Sequence, residues 1–267
     1  MIKILIIGKR GFIGKELSKY LSTKFSIKHI SFKKFQSKRD TVNNFNWIIN
    51  SSINKNYIKK KYNKNFDNDF EIANSIKDID VSYIFLSSRK VYKTGENIKE
   101  NSTLRPKSNY SKNKLITEKI LKKILSKNLT ILRISNVIGD KSNSKNLHST
   151  FIDIFIKNIK KGYIIDNGNS FKDFISIKKF CEIISLVIKK NLNGIYNVSL
   201  GQKVYLNEII EWLKKFNKKK VTIKKNIKKK KEDFYLNNKK LMLKIKIRNS
   251  KNELKKYCLS LSKQIFL

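Results

Sequence analysis

The sequence of 267 residues contains only one proline, nine glycines, two cysteines and one alanine, and these shortages limit what the protein can be. Its two cysteines, Cys181 and Cys258, form no metal-binding or redox motif, so we expect free thiols in a reducing, cytoplasmic compartment and no bound metal. No run of 18 apolar residues is present, which predicts no membrane span and no membrane partner. The start, Met1 to Gly8, is interrupted too early for a signal peptide and is typical of a first strand.

Acidic residues are also scarce: 20 of them stand against 61 lysines and arginines, which leaves a formal charge of +41. Such a charge is typical of proteins that bind nucleic acids. Only six of the basic residues are arginine, however, and arginine provides the planar, two-pronged contacts that nucleic-acid binders favour. The excess of Lys, Asn, Ile and Phe, which have A- and T-rich codons, favours compositional drift, and we expect no nucleic-acid partner. Whether the dense run Lys214 to Lys231 has a function of its own is left open.

Apolar segments with two different periods alternate along the chain. The run Ile2 to Ile7, apolar except for Lys3, is typical of a strand that is buried on both faces. Further strands are predicted at 26–32, 45–50, 81–87, 129–135 and 194–198. Helical spacing predicts helices at 65–79, 110–127, 150–161, 177–190 and 205–216.

Strands that alternate with helices predict an α/β fold, a Rossmann-type doubly wound parallel sheet with a small C-terminal lobe. We assign residues 1–140 to the core that contains this sheet and residues 141–267 mostly to the lobe. The strand at 194–198 is expected to return to the core sheet. The lysine-rich stretch from Lys218 keeps apolar residues, so we expect it to be ordered.

Three of the nine glycines lie in one short loop between the first predicted strand and the first predicted helix. The loop reads Gly8-Lys9-Arg10-Gly11-Phe12-Ile13-Gly14, a GxxGxxG pattern in the strand–helix context that gives it meaning. Glycines allow a tight turn and close approach to a pyrophosphate, and the start of the helix supplies N–H groups with partial positive charge. The loop, including Arg10, Phe12 and Ile13, is therefore predicted to bind a dinucleotide; a tight turn without a ligand is the alternative.

The end of the second predicted strand carries no acidic residue to bind an adenosine ribose. It reads Ile30-Ser31-Phe32-Lys33-Lys34 instead. A cationic surrounding, together with Arg10 in the loop, suits a 2′-phosphate. We therefore favour NADP over NAD as the cofactor.

A Tyr-x-x-x-Lys pair, Tyr110 and Lys114, opens the predicted helix at 110–127. Residues four apart share a helix face, so both can reach one ligand. A phenol has an ordinary pKa of about 10, and a nearby ammonium group favours its ionised form. Ser88 follows a predicted strand at the carboxyl edge of the sheet, where its hydroxyl can hold a carbonyl oxygen. The three residues together predict proton transfer at a carbonyl or hydroxyl carbon.

In this order the glycine loop, strand-end serine and YxxxK helix resemble the extended short-chain dehydrogenase/reductases of the NAD(P)-dependent nucleotide-sugar epimerase/reductase type. The resemblance spans about residues 1 to 215. Further matching stretches are Ser87 to Tyr92, Leu132 to Gly139, Asp173 to Ile177 and Gly194 to Gly201.

The resemblance implies roles for individual residues. Ser88 is expected to polarise the sugar carbonyl, Tyr110 to be the acid/base, and Lys114 to bind the nicotinamide ribose. The resemblance also places Asn50 and Ser51 beside the cofactor and Asn136 near nicotinamide and substrate. Arg89, Lys90 and His148 are further candidates for substrate contacts.

The same resemblance implies a nucleotide-sugar substrate and hydride transfer. Where family dehydratases have an acidic pair after the serine or threonine, this chain has Arg89 and Lys90, which argues against a 4,6-dehydratase. Chain length and glycine loop favour a reductase over an epimerase. A non-catalytic dinucleotide-binding protein with a basic, RNA-binding surface is the alternative, and a non-sugar carbonyl substrate stays open. Family members often dimerise through helices matching 65–79 and 110–127, so a homodimer is expected.

Overall fold

The computed structural model describes residues 1–37, 39–140, 151–166, 169–225 and 232–267. Its strands are β1 (Lys3–Ile7), β2 (Ser26–Ile30), β3 (Trp47–Asn50), β4 (Ser82–Ser88), β5 (Leu129–Ile134), β6 (Asn136–Ile138), β7 (Tyr163–Asp166), β8 (Phe171–Lys172), β9 (Phe174–Ser176), β10 (Gly194–Val198), β11 (Val204–Tyr205) and β12 (Thr222–Lys225). Its α-helices are α1 (Phe12–Leu21), α2 (Phe32–Gln36), α3 (Lys55–Lys59), α4 (Asn68–Ile76), α5 (Asn109–Leu125), α6 (Phe151–Lys160), α7 (Ile177–Lys189), α8 (Leu206–Lys214), α9 (Lys239–Ile245) and α10 (Lys251–Phe266).

Six of these strands form one parallel sheet in the order β10-β5-β4-β3-β1-β2. The chain builds outward from β1 to β2 and then crosses to β3 on the other side of β1. The direction of winding therefore reverses between β1 and β3. In open α/β sheets, ligands bind at the carboxyl ends of the strands that flank such a reversal.

The sheet is covered on both faces, which explains the four consecutive apolar residues of β1, Ile4 to Ile7. Ile4 and Ile6 pack in one cluster with residues of α1, α7 and α9, whereas Leu5 and Ile7 pack in another with residues of α4 and α5. Successive side chains of a strand point to opposite faces, so all four are buried, and only Lys3 at the start of β1 is exposed. Burial of such a side chain stabilises the fold by about 1.5–3 kcal/mol.

The C-terminal half contributes to both the sheet and a separate lobe. A third apolar cluster joins α6, α8 and α10 with the short pairs β6–β9, β8–β11 and β7–β12. In contrast, α9 leaves this lobe and packs against α7 and β10, with Leu241 and Ile245 buried in the core of the main sheet. The stretch after Lys218 is thus ordered in its described part, as expected.

Polar caps set two boundaries that the apolar pattern misjudged. The strand predicted at 26–32 ends at Ile30 because Ser31 caps α2, accepting a hydrogen bond from the Lys34 amide at 3.2 Å. Helix α4 begins at Asn68 because the Asp67 carboxylate accepts the amides of the first turn. Both cysteines are free and buried. Within the described residues, no helix is both long and apolar enough to cross a bilayer.

Candidate active site

The glycine loop follows β1 at the reversal point and packs tightly on the residue that follows β3. Gly8 has a φ of +120°, and a Cβ there would overlap the Ser51 side chain. A Cβ on Gly14 would lie 2.5 Å from both the Gly8 carbonyl oxygen and Ser51 Oγ. Gly11 differs, since the nearest atoms to a Cβ there are 3.9 Å away. Two glycines thus serve the packing of the loop, and the third leaves open space at the start of α1.

Helix α1 begins at Phe12, directly after Gly11, and Gly11 has no side chain to cap it. The loop therefore presents the start of a helix and its partial positive charge at the reversal point, as an anion site requires. Arg10 is exposed beside it, and Ile13 is half-buried. The Phe12 side chain is buried and packs so closely on Gly139 that a Cβ on Gly139 would overlap its ring. These features fit a pyrophosphate held by backbone groups.

Asn50, the last residue of β3, and Ser51, which follows it, make different contacts. Ser51 Oγ donates to the Ile7 carbonyl at 2.9 Å and so joins the ends of β1 and β3. Asn50 is buried, and its amide donates to Asp69 Oδ1 at 2.8 Å. Ser51 therefore backs the glycine loop, whereas the Asn50 side chain is directed to α4.

The end of β2 has the cationic character expected from the sequence. Ser31 occupies the position after the strand, and Lys33 and Lys34 are exposed in α2. His29, on β2, lies next to the loop: a Cβ on Gly14 would be 3.2 Å from its Nε2. Burial lowers the pKa of His29, so the imidazole is neutral at pH 7.

The last two residues of β4, Ser87 and Ser88, point to opposite faces of the sheet and have different surroundings. The Ser87 hydroxyl is buried and donates to Glu118 Oε1 at 2.6 Å. Glu118 also receives two hydrogen bonds from Arg133, at 3.0 and 2.6 Å, so the Arg133 guanidinium is engaged inside the protein. Ser88 is half-buried, and its Oγ accepts the Lys90 amide at 3.3 Å. The alternation of the strand thus leaves Ser88 as the serine available at the sheet edge.

Helix α5 carries the Tyr-x-x-x-Lys pair in its first two turns. It begins with a capping box in which the side chains of Ser108 and Ser111 each bind the backbone of the other. Tyr110 is half-buried in the first turn. Lys114 is buried and packs with its Nζ 4.4 Å from the centre of the Phe85 ring on β4. This contact fixes α5 against the strand that ends in Ser88.

One carboxylate connects the cofactor side of this edge with the YxxxK helix. Asp69 Oδ1 accepts hydrogen bonds from Asn50 and, at 2.6 Å, from the Tyr83 hydroxyl. Asp69 Oδ2 lies 3.6 Å from Lys114 Nζ, and both side chains are more than nine-tenths buried. The sequence analysis missed Asp69. Its signal was an acidic residue on the otherwise apolar face of the predicted helix at 65–79.

Asp67 lies in the same buried network. It accepts a hydrogen bond from Thr117 at 2.6 Å and one from Tyr62 at 3.2 Å. Burial, followed by the charge of Asp69, raises the pKa of Asp67 to about 6. Two carboxylates and the Lys114 ammonium are thus held together behind the first turns of α5, with Tyr57 above the ammonium at 5.6 Å.

The residues expected to contact substrate lie in different segments of the chain, and one of them is outside the described residues. The Asn136 side chain is half-buried and donates to the Asp173 carbonyl at 3.0 Å. Arg89 and Lys90 form a 3₁₀ turn directly after Ser88. His148 lies outside the described residues. So do positions 226–231 of the lysine run, whose first residue, Lys214, pairs with Glu211 at 2.7 Å.

The reversal-point glycine loop, the strand-end serine and the YxxxK helix define an extended short-chain dehydrogenase/reductase. A sequence profile of the NAD dependent epimerase/dehydratase family matches residues 29–199, and the chain belongs to that family. GDP-6-deoxy-D-talose 4-dehydrogenase of Aggregatibacter actinomycetemcomitans is 29% identical over 164 residues, 58% of this chain. The matched stretch spans 55% of that relative's length.

Solved structures share the fold at low sequence identity. A UDP-N-acetylglucosamine 4-epimerase from Methanobrevibacter ruminantium superposes with a TM-score of 0.82 at 20% identity, covering 98% of this chain and 97% of that one. A UDP-glucose-4-epimerase from Stenotrophomonas maltophila with bound NAD gives 0.80 at 11% identity, covering 99% of each chain. A dTDP-4-dehydrorhamnose reductase from Clostridium acetobutylicum gives 0.73 at 17%, covering 96% and 98%.

Proposed function

We propose that this protein is a nucleotide-sugar oxidoreductase that uses NADP(H) at a keto or hydroxy carbon of the sugar. The proposal rests on a buried connection from Asn50, at the end of β3, through its hydrogen bond to Asp69 and the ion pair of Asp69 with Lys114. Because of it, the crevice beside the glycine loop and the YxxxK helix share one edge of the sheet. In our proposal residues 1–140 hold the cofactor, and residues 141–267 mostly hold the substrate.

The protein residues would act on the oxygen of the reacting carbon. Ser88 donates a hydrogen bond to that oxygen, and Tyr110 transfers a proton to or from it. Lys114 follows Tyr110 by four residues on the same face of α5, where it would bind the ribose of the nicotinamide. Asp69 holds Lys114 in place, so the ammonium cannot swing away from the first turns of α5. When bound, the nicotinamide supplies or accepts the hydride.

The glycine loop fits the pyrophosphate of a dinucleotide, and the surroundings of β2 favour one with a 2′-phosphate. Gly11 leaves the space that a phosphate needs, and the start of α1 offers N–H groups. Arg10, Lys33 and Lys34 are exposed cations on this side, and no acidic residue lies between Ser26 and Ser37. Those features support NADP over NAD.

A net reductase is our first choice, and an epimerase is the second. The glycine loop with its exposed Arg10 supports a reductase, and the 29% identical relative is a dehydrogenase. The epimerase is favoured by the epimerases with TM-scores of 0.82 and 0.80. A reductase consumes one coenzyme for each sugar converted, whereas an epimerase returns the hydride and consumes none.

The proposal is tested by titrating the purified protein with NADPH and NADH at low and moderate salt while coenzyme fluorescence is recorded. We expect saturable binding that survives salt, with NADPH preferred. Turnover is then followed with a panel of 4-keto nucleotide sugars. Tyr110→Phe should keep coenzyme binding and lose turnover by a factor of at least 100.

The matched control is Tyr163→Phe, a tyrosine of β7 in the C-terminal lobe, which should change neither binding nor turnover. Binding of neither coenzyme by the folded wild-type protein would refute the proposal. Salt-sensitive binding of RNA in place of coenzyme would favour the non-catalytic alternative. The homodimer stays a prediction.

A further inference from the structure

Three cations gather at the end of β4, beside Ser88. Arg89 and Lys90 follow Ser88 in a 3₁₀ turn, and Lys172 of β8 has its Nζ 5.8 Å from the centre of the Phe234 ring, on which Arg89 also packs. Burial lowers the pKa of Lys172, and the charges of Arg89 and Lys90 lower it further. Burial and Arg89 likewise lower the pKa of Lys90. The three positive charges are therefore close enough to repel one another.

The Arg89 guanidinium is held in a preformed position without a full set of partners. It stacks on Phe234, with 3.7 Å between Cζ and the ring centre, and its side chain is only 10% exposed. Its buried Nε has no hydrogen-bond partner among the described residues. Burial lowers the pKa of Arg89 to about 10. A buried guanidinium with an unused donor is costly, and an anion at its exposed edge offsets part of the cost of burying the charge.

The acidic residues nearby compensate for little of this charge. Glu232 lies 3.8 Å from an Arg89 terminal nitrogen, beyond hydrogen-bonding distance, and half of its side chain is exposed. Asp233 is already engaged, because its carboxylate accepts the Ser170 hydroxyl and, at 3.1 Å, the Phe171 amide. These bonds fix the segment that carries Phe234. Among the described residues, the only carboxylate within 4 Å of the three cations is therefore that of Glu232, which lies beyond hydrogen-bonding distance, and the geometry of the cluster is held by the lobe.

We propose that Arg89, Lys90 and Lys172 bind a carboxylate carried by the sugar ring of the substrate. This inference rests on the proposed function, in which Ser88 holds the oxygen of the reacting carbon. Consecutive Cα atoms are about 3.8 Å apart, so the turn at Arg89 begins next to that carbon. An anion on the ring is therefore a nearer partner than the diphosphate. The planar guanidinium can also meet a carboxylate with two parallel hydrogen bonds.

The test compares acidic and neutral sugars on the same nucleotide. UDP-glucuronate is compared with UDP-glucose, and GDP-mannuronate with GDP-mannose, by calorimetric titration of the NADPH-loaded protein at moderate salt. We expect the acid of at least one pair to bind tenfold or more tightly than its neutral partner. Arg89→Met should reduce that ratio to near one and leave the neutral sugar unaffected. Arg89→Lys should restore part of the ratio, because it keeps the charge.

Lys203→Met is the matched control for general attraction by the +41 charge. Lys203 lies in the same lobe, is paired with Glu96 at 2.7 Å, and is outside the cluster. It should leave the ratio unchanged. If Arg89→Met lowers the melting temperature, Lys172→Met provides the same comparison from a strand at the other side of the cluster.

The outcomes separate the inference from the function on which it rests. Equal weakening of acidic sugar, neutral sugar and free nucleotide diphosphate by Arg89→Met would show a diphosphate contact and overturn the carboxylate assignment. The absence of any acid preference in both wild-type pairs would also overturn it. Neither result touches NADPH binding or the requirement for Tyr110, which test the proposed function by themselves.

Discussion

Lys114 and Asp69 form a buried ion pair in which Nζ lies 3.6 Å from Oδ2, and this pair joins α5, the YxxxK helix, to α4. The same carboxylate accepts a hydrogen bond from Asn50 at the end of β3. Desolvation makes such a pair costly to break, because one charge is left in the interior without its partner. A substitution at Lys114 should therefore change both the free energy of unfolding and the rate of turnover.

Removal of the ammonium should destabilise the protein and abolish turnover. Lys114→Met leaves Asp67 and Asp69 buried without a cation, which should cost about 3–5 kcal/mol of unfolding free energy. The double variant Lys114→Met/Asp69→Asn should recover part of that stability, since the amide still accepts from Asn50, but no activity. Urea unfolding and turnover measure the two effects. Unchanged stability of Lys114→Met would contradict the pair, and an active double variant would contradict the role of Lys114.

Two glycines of the phosphate loop should respond differently to alanine. Gly14→Ala places a methyl group 2.5 Å from two oxygens and should cost about 1–3 kcal/mol or more of stability. Gly11→Ala meets nothing closer than 3.9 Å, so it should fold normally and weaken coenzyme binding at least tenfold. Thermal melting and coenzyme titration distinguish the two. Gly95→Ala is the control, because no atom lies within 4 Å of its Cβ, and it should change neither quantity.

The coenzyme preference should move with the residue after β2. Ser31→Asp keeps the cap of α2, since aspartate is as good a cap as serine, and adds a carboxylate where the adenosine ribose is expected. The ratio of NADPH to NADH affinity should fall at least tenfold. Ser31→Asn, which caps without a charge, should leave it nearly unchanged. An equal response to both substitutions would mean that β2 does not face the ribose.

The raised pKa of Asp67 should make the free energy of unfolding depend on pH. Its folded pKa of about 6 lies above the unfolded value of 3.8, so the native state binds the extra proton and this contribution is lost as the pH rises through 6. The loss amounts to at most about 3 kcal/mol, at 1.36 kcal/mol per pKa unit. Asp67→Asn keeps the cap of α4 and should remove this slope.

Urea unfolding between pH 4.5 and 8 measures the difference between Asp67→Asn and wild type. We expect the variant to gain relative stability as the pH rises. Asp78→Asn is the control, because the Asp78 side chain is 83% exposed, and its difference from wild type should stay nearly constant. A constant difference for Asp67→Asn as well would mean that Asp67 is ionised in the fold over this range.

Local patterns were sufficient to predict much of the fold. Strand β1 is apolar from Ile4 to Ile7 because both faces of the sheet are covered, and Ser88 and Tyr110 lie at the ends of elements with clear periods. The prediction of where β2 ends was wrong because the apolar pattern does not show helix caps. Phe32 fits the alternation of β2, but it is the first residue of α2, which Ser31 caps. Apolar periodicity carries no information about which side chain satisfies a backbone amide.

The contacts that shape the site were beyond such patterns. Asp69 stands in the first turn of α4, where an acidic residue ordinarily serves the helix dipole in solvent. It meets Lys114 only because α4 packs against α5. Lys172 reaches Arg89 only because the C-terminal lobe docks on the sheet. Pairings of this kind depend on the packing of distant segments, which one sequence without relatives does not reveal.

Asp173 takes hydrogen bonds from the backbone amides of Leu200, Gly201 and Leu236, and so ties the strand after β8 to the end of β10 and to the segment near Phe234. All three donors belong to the main chain. This connection therefore depends on one carboxylate and on the path of the backbone. The side chains of the three donor residues can be exchanged without loss of these bonds, provided that the backbone path is kept.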